Sequence, residues 1–367
     1  MSSKKDTASA VQPDTADASD SPGAKKDHGV LYLGIDLGTS RTSVCASNGV
    51  RETVESFVGY PKDPVARKLL KKDVLFGEEA REKRLSLNLY RPLEHGVLKH
   101  NKDGKEDTQE LRAAKDLVRE IVRRARPRAD ELVYAVIGVP AQASIHNKDA
   151  ILDAARESVD SVMLCSEPFS VAYGLDMLED VLVIDIGAGT TDLCRMHGTM
   201  PDDADQITMT YAGDFIDDEI MKELKLAYPE AQHTKQMVKS LKEKFSTVET
   251  NSDAIMAMLP VNGKPTSFDI TVPMRTACKR IVEPIVEGLG TLIGTFDPEF
   301  QERLKNRVLL AGGGSQIKGL DRALTAEMHR LLGGGNVIRI EEPVYGGANG
   351  ALKIAHDMPE EYWEQLK

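Results

Sequence analysis

The chain has 367 residues, 41% hydrophobic and 29% charged, enough for two domains with substantial cores. Its formal net charge of −11 disfavours a nucleic-acid binder, which would carry a basic excess. No apolar run reaches the ~18 residues needed to span a bilayer and no signal-peptide core opens the chain, so a soluble, cytoplasmic protein without membrane insertion is expected.

Residues 1–29 hold Ser, Ala, Asp, Lys and Pro with one valine and no aromatic residue, a composition expected to stay disordered. Order is expected from Val30. Leu33, Ile35 and Leu37 alternate into the turn Gly38-Thr39-Ser40, giving strand, glycine turn, strand. A strand over Val54 to Val58 is expected to end at the turn cluster Gly59-Tyr60-Pro61-Lys62-Asp63. Residues 62–92 form a small charged segment, with Arg67, Lys68, Lys71, Lys72, Arg81, Lys83 and Arg84 among a few leucines, read as a solvated subdomain surface. Apolar spacing predicts a helix from Thr108 to Arg126, with Leu111, Ala114, Leu117, Val118, Ile121, Val122 and Ala125 on one face and Pro127 stopping it. A strand (Leu132 to Val139), a helix near Lys148 to Val159 and a strand near Met163 to Cys165 follow. Glu167-Pro168-Phe169 then opens a helix running to Leu178.

The second half repeats this plan. Val181, Val183 and Ile184 lead into a second glycine turn, and a hairpin spans Leu182 to Met196. Tyr211-Ala212-Gly213-Asp214-Phe215 precedes an acidic helix, and an inserted segment runs from about 215 to 273. A long helix (Pro273 to Phe296), the glycine cluster Gly312-Gly313-Gly314-Ser315, a helix from Leu320 to Leu331 and a strand over Val337 to Ile340 complete the plan. The four cysteines, Cys45, Cys165, Cys194 and Cys278, are dispersed without C-x-x-C spacing, indicating neither zinc nor a disulfide framework.

The two glycine turns are one motif written twice: Ile35-Asp36-Leu37-Gly38-Thr39-Ser40 and Ile184-Asp185-Ile186-Gly187-Ala188-Gly189-Thr190-Thr191, their aspartates 149 residues apart. Glycine lets backbone N–H groups approach an anion, the hydroxyls add donors, and each aspartate can hold the metal that accompanies a phosphate chain. Two such hairpins facing one another would grip one polyphosphate from both sides. No Gly-Lys-Ser/Thr exists, so this is not a P-loop, and no G-x-G-x-x-G follows a strand to open a helix. The third cluster, Gly312 to Gly314 after an apolar strand, offers a flat shelf for a planar base. Two βαβ-rich halves, each with an insertion, predict a duplicated α/β fold with the ligand between them.

The order Asp36-x-Gly38-Thr39-Ser40, Asp185-x-Gly187-Ala188-Gly189-Thr190-Thr191-Asp192 and Gly312-Gly313-Gly314-Ser315 resembles the actin/Hsp70/sugar-kinase nucleotide-binding superfamily over residues 30 to about 355. Val58-Gly59-Tyr60-Pro61-Lys62-Asp63, Val136-Ile137-Gly138-Val139-Pro140-Ala141, Ser166-Glu167-Pro168-Phe169 and Tyr362-Trp363 narrow the resemblance to bacterial actins, specifically those that organise magnetosome chains. The resemblance implies an actin-like, ribonuclease H-like α/β fold of two lobes and four subdomains with a central cleft. Lobe I would take residues 30–180 with an inserted subdomain at about 60–92, lobe II 181–340 with one at about 215–273, and 341–367 would return to lobe I. It further implies ATP or ADP with Mg²⁺ in the cleft, ATP hydrolysis, polymerisation of the chain with itself, and magnetosome-associated proteins as partners.

Roles follow residue by residue from that resemblance. Asp36 and Asp185 hold Mg²⁺ through water, since magnesium dehydrates reluctantly. Gly38, Thr39, Ser40, Gly187, Ala188, Gly189, Thr190 and Thr191 surround the phosphates, with Gly213 approaching them. Glu167 orients the attacking water, and Lys242 and Glu243 touch ribose and base. Gly312, Gly313, Gly314 and Gln316 line the adenine shelf, Gln316 departing from the arginine of Hsp70-type proteins. A small-molecule kinase would need a carboxylate base where Ile137-Gly138-Val139-Pro140-Ala141 stands, and an Hsp70 chaperone would need far more than the 27 residues after Ile340. An actin of the MreB or ParM kind with another cargo remains the alternative.

Overall fold

Each glycine hairpin forms the middle of its own sheet in the computed structural model, which describes residues 29–99, 109–251 and 253–366. The expected tail before Gly29 and the first residue of the expected helix at Thr108 lie outside the described residues. In the first half β1 (Val30–Leu37) pairs antiparallel with β2 (Arg41–Ala46), and β2 with β3 (Arg51–Glu55). The chain then leaves the sheet at Ser56, whose backbone N–H donates to Ser40 O (2.9 Å) and whose hydroxyl donates to Gly38 O (2.7 Å). Ser56 thus braces the first glycine turn from behind.

The expected turn cluster at Gly59 is instead a strand. β4 (Val58–Pro61), α1 (Pro64–Leu70), β5 (Leu75–Phe76), α2 (Gly77–Glu82) and β6 (Leu87–Tyr90) build a small subdomain in which β4 lies between β5 and β6. Gly59 serves packing here: a Cβ would lie 2.7 Å from Leu87 Cδ1. The turn comes at Lys62 and Asp63, where the Asp63 carboxylate accepts from Ala66 N–H (2.8 Å) and caps α1.

A two-residue-armed hairpin, β7 (Leu93–Glu94) and β8 (Val97–Leu98), leads to α3 (Gln109–Arg124), which buries Ala114, Leu117, Val118, Ile121 and Val122 as its spacing predicts. β9 (Leu132–Val139) and β10 (Ser161–Ser166) add parallel strands beside β1, joined by α4 (Ile145–Arg156). α4 starts three residues before the expected Lys148 because Ser144 accepts from Asn147 N–H and caps it. α5 (Glu167–Gly174) stops short of the expected Leu178, as Asp176 adopts φ 56° and Met177 N–H returns to Ala172 O.

The second half has the same strand order. β11 (Val181–Ile186) is central, flanked by β12 (Thr191–Met196) and then β13 (Gln206–Met209). α6 (Gly213–Ala227), α7 (Lys235–Phe245), β14 (Met256–Val261) and β15 (Lys264–Asp269) form the insertion. The single long helix expected from Pro273 is broken into α8 (Thr271–Lys279) and α9 (Val282–Gly294). Pro284 is the cause: it has no N–H for the carbonyl of Arg280, and the helix breaks at that turn. α10 (Pro298–Lys305), β16 (Val308–Ala311), α11 (Leu320–Leu332) and β17 (Val337–Arg339) follow, β16 and β17 lying parallel to β11.

α12 (Gly346–Asp357) and α13 (Glu360–Gln365) return the chain to the first sheet. α12 lies on β1 so closely that a Cβ on Gly34 would sit 2.1 Å from Ala348 O and from Leu352 N. It crosses α5 through Gly350 and Gly174. Each lobe has its own buried core, and a third cluster joins them: Tyr134 and Val136 from lobe I, Val181, Val183 and Leu309 from lobe II, with Trp363 stacked on Tyr134 at 5.0 Å. The two halves are therefore joined through α5, α12 and this third cluster.

Candidate functional site

Strand register places the duplicated aspartates at equivalent positions. Asp36 is the penultimate residue of β1, level with Ser43 and Gly138; Asp185 is the penultimate residue of β11, level with Asp192 and Ala311. Gly138 separates Asp36 from Cys165 at the end of β10, so no side chain stands between Asp36 and the start of α5. Glu167 is the first residue of that helix, and its Cγ lies 3.3 Å from where a Gly138 Cβ would be. Three carboxylates from three elements thus converge at the floor of a cleft of about 270 Å³ between the lobes.

The two glycine turns face each other. A Cβ on Gly189 would lie 2.5 Å from Thr39 Oγ1 and 2.8 Å from His95 Cα. Thr39 Oγ1 accepts from Gly96 N–H (2.7 Å), which leaves its own proton free to donate into the cleft. The second turn is closed by Gly187 N–H to Thr190 O (2.9 Å) and held from below by Asp214 N–H to Ala188 O (2.7 Å). Gly312 adopts φ 76°, and a Cβ there would strike Asp185 Oδ1 at 2.3 Å, so only glycine fits that position.

Asp36, Gly38, Thr39, Ser40, Glu167, Asp185, Gly187, Ala188, Gly189, Thr190, Gly213, Lys242, Glu243, Gly312, Gly313, Gly314 and Gln316 all line this one cleft. Thr191 does not. It is fully buried in β12 and its hydroxyl donates to Tyr211 O (2.8 Å), because alternation along the strand turns it away from the cleft after Thr190. Lys242 is present but engaged: its Nζ reaches Asp217 (2.8 Å) and Gly213 O (2.5 Å).

Several neighbours were not singled out from sequence. Asp192 is fully buried, accepts from Ala141 N–H (2.9 Å) and Thr208 Oγ1 (2.5 Å), and leaves Oδ2 without a hydrogen-bond partner. The pairing of a tight hairpin would have placed it opposite Asp185. Lys239 lines the cleft one helical turn before Lys242, a spacing readable on α7. Arg91 donates to Thr39 O (2.8 Å) and pairs with Asp214 (2.9 Å), and His95 Nδ1 lies 3.1 Å from Gly189 O; nothing local in the sequence marks these as braces of the two glycine turns.

The electrostatics call for a cation. Burial pushes the Asp36 carboxyl up to about 6. Burial first, then the charges of neighbouring carboxylates, hold Asp185 and Glu167 well above the ordinary range. Burial also raises Asp192, against the pull of its hydrogen bonds. No basic side chain contributes to any of these four shifts. Among the described residues no three His, Cys, Asp or Glu side chains form a metal cage. The donor set suits a hard divalent ion that takes one or two carboxylates and completes its shell with phosphate oxygens and water.

Comparison with known proteins agrees with this architecture. The family model described as MreB/Mbl protein matches residues 31–361. The actin-like protein MamK of Paramagnetospirillum magneticum is 40% identical over 336 residues, covering 92% of this chain and 95% of the relative. A solved MamK double helical filament is 38% identical with a TM-score of 0.86, covering 90% of this chain and all of that one. A non-polymerising MamK mutant bound to AMPPNP, also 38% identical and with the same coverage, has a TM-score of 0.69. Duplicated sheets, facing glycine turns and a match along nearly the whole described chain lead to one assignment: the chain belongs to the MreB/Mbl family of actin-like proteins, in its MamK branch.

Proposed function

We propose that this protein binds ATP with Mg²⁺ in the interlobe cleft, hydrolyses it to ADP and phosphate, and assembles into cytoskeletal filaments that position magnetosomes. The observation that carries the reading is the approach of Gly189 to Thr39, which puts two glycine turns on opposite sides of one polyphosphate-sized space above Asp36, Asp185 and Glu167. The MamK filament supports the assembly and the AMPPNP-bound relative supports the nucleotide, while the magnetosome cargo rests on the sequence resemblance.

In this reading the phosphates lie between Gly38–Ser40 and Gly187–Thr190, and the base rests on Gly312–Gly314 and Gln316. Asp36 and Asp185 would hold magnesium, which supplies charge neutralisation to the phosphates. Glu167 orients a water toward the terminal phosphorus, where positioning and charge stabilisation account for most of the catalysis and no covalent nucleophile is required. Asp192, fixed by Ala141 and Thr208, keeps the second turn in register with Asp185.

Negative-stain microscopy of the purified chain with ATP, with ADP and without nucleotide tests the reading. Filaments that require nucleotide are expected, with phosphate released alongside; monomers under all three conditions would overturn the cytoskeletal assignment.

Charge makes a separate prediction. Subunits of formal charge −11 repel one another, and added salt shortens that repulsion to a Debye length of about 8 Å near physiological ionic strength. Pelleting with ATP is therefore expected to increase as KCl rises from low to moderate concentration. A steady decline over that range would mean that attractive ion pairs dominate the subunit contact.

A further inference from the structure

We propose that α7 is a clasp over the bound nucleotide, tied to the first glycine turn by Lys239–Ser40 and Arg41–Glu243, and that these two ties govern nucleotide release. The proposal rests on the nucleotide reading above and adds to it a retention device with named parts.

Lys239 and Glu243 are four residues apart on α7 and therefore share a face. That face meets two consecutive residues of lobe I. Lys239 Nζ donates to Ser40 Oγ (2.5 Å), and Arg41 Nη2 lies 3.1 Å from Glu243 Oε1. All four line the cleft, so a ligand reaching from the glycine turns to the Gly312 shelf passes beneath them. Lys242, on the same helix, turns back into lobe II toward Asp217 and Gly213, so α7 has one side anchored at home and one reaching across.

The two ties differ in kind. Lys239 has no carboxylate within ion-pair distance among the described residues, and burial lowers its pKa. A desolvated ammonium satisfied by a single hydroxyl gains a stronger partner when a phosphate chain arrives beside Ser40. Arg41–Glu243 is solvent-exposed, at 42% and 39% of side-chain surface, and is open to salt. A neighbouring tie is less exposed: Arg91, which donates to Thr39 O beside Ser40, pairs with Asp214 at only 24% and 20% exposure. Arg41–Glu243 is thus the more solvent-exposed of these ion pairs and the one that salt weakens most.

The test is stopped-flow displacement of N-methylanthraniloyl-ADP from the full chain with Mg²⁺, chased with excess unlabelled ADP. Arg41→Glu and Glu243→Arg are each expected to speed release roughly two- to five-fold, the range of an exposed ion pair. The double variant, with the charges exchanged, is expected to return release to within about two-fold of wild type. Lys239→Met is expected to speed release roughly ten-fold, the size of a charge-assisted hydrogen bond. Rising KCl is expected to accelerate release from wild type but not from Glu243→Gln. Single variants that release at the wild-type rate would overturn the clasp while leaving nucleotide binding intact. So would an exchanged double variant no slower than its parents, since a ribose contact by Glu243 is not restored by the swap. A wild-type chain that never binds labelled ADP would overturn the nucleotide reading and the clasp together.

Discussion

Glu167→Gln is expected to lower phosphate release by roughly a hundred-fold or more, the effect of losing a positioned acid–base group, with labelled ADP still bound. Glutamine keeps the shape of the side chain beside Gly138, where any added bulk would meet the Glu167 Cγ, so the floor of the cleft stays closed. What disappears is the carboxylate's capacity to accept from water on both oxygens. Glu167 is the residue to change because it is buried, begins α5 and is not one of the Asp36–Asp185 pair assigned to the metal. Its neighbours also make the variant easy to fold: burial and the charges of Asp36, Asp192 and Asp185 penalise an ionised Glu167 in the empty site, and a neutral amide removes that penalty. The expected signature is therefore low turnover without loss of thermal stability, together with filaments that persist longer in ATP. Turnover within three-fold of wild type would remove Glu167 from the mechanism and shift attention to Asp192.

Sequence spoke most clearly where one motif had been written twice. Asp36 and Asp185 sit at matching register positions because both halves fold into the same strand order, and the repeat made that visible before any coordinate. Local chemistry also located both ends of β9, whereas α3 ends at Arg124, two residues before the expected Arg126. Three kinds of feature were hidden. Gly59-Tyr60-Pro61 has turn composition, yet it lies in β4 because β5 and β6, distant in sequence, pair on either side of it. The break between α8 and α9 was readable from Pro284, but apolar periodicity continued through it and masked the missing hydrogen bond. Arg91, His95 and Arg41 are tied to the site through contacts with residues 52 to 202 positions away, which no local window reveals. Thr191 illustrates the remaining ambiguity: in a run of two threonines, strand alternation sends one into the cleft and the other into the core.

The crossing of α5 and α12 gives the largest expected loss of stability. A Cβ on Gly350 would fall 1.7 Å from Ser170 O and 2.4 Å from Ser170 C, both backbone atoms that no rotamer change can move aside. Gly350→Ala gains about 1 kcal/mol of helix propensity, but α5 must shift bodily to admit the methyl group. The net destabilisation is expected to be about 2–4 kcal/mol, typical of severe overpacking. Gly294→Ala is the control: the glycine ends α9, and an added Cβ meets nothing within 4 Å, so stability should hold or rise by up to about 1 kcal/mol. Urea unfolding of both variants separates the two terms. Because Ser170 lies three residues after Glu167 on a short helix, a displaced α5 also moves the water-orienting carboxylate. Gly350→Ala should accordingly lose hydrolysis at temperatures where it is still folded, whereas Gly294→Ala should not. Equal urea midpoints for the two variants would mean that the α5–α12 crossing does not hold the halves together as its packing implies, and that Glu167 is positioned independently of it.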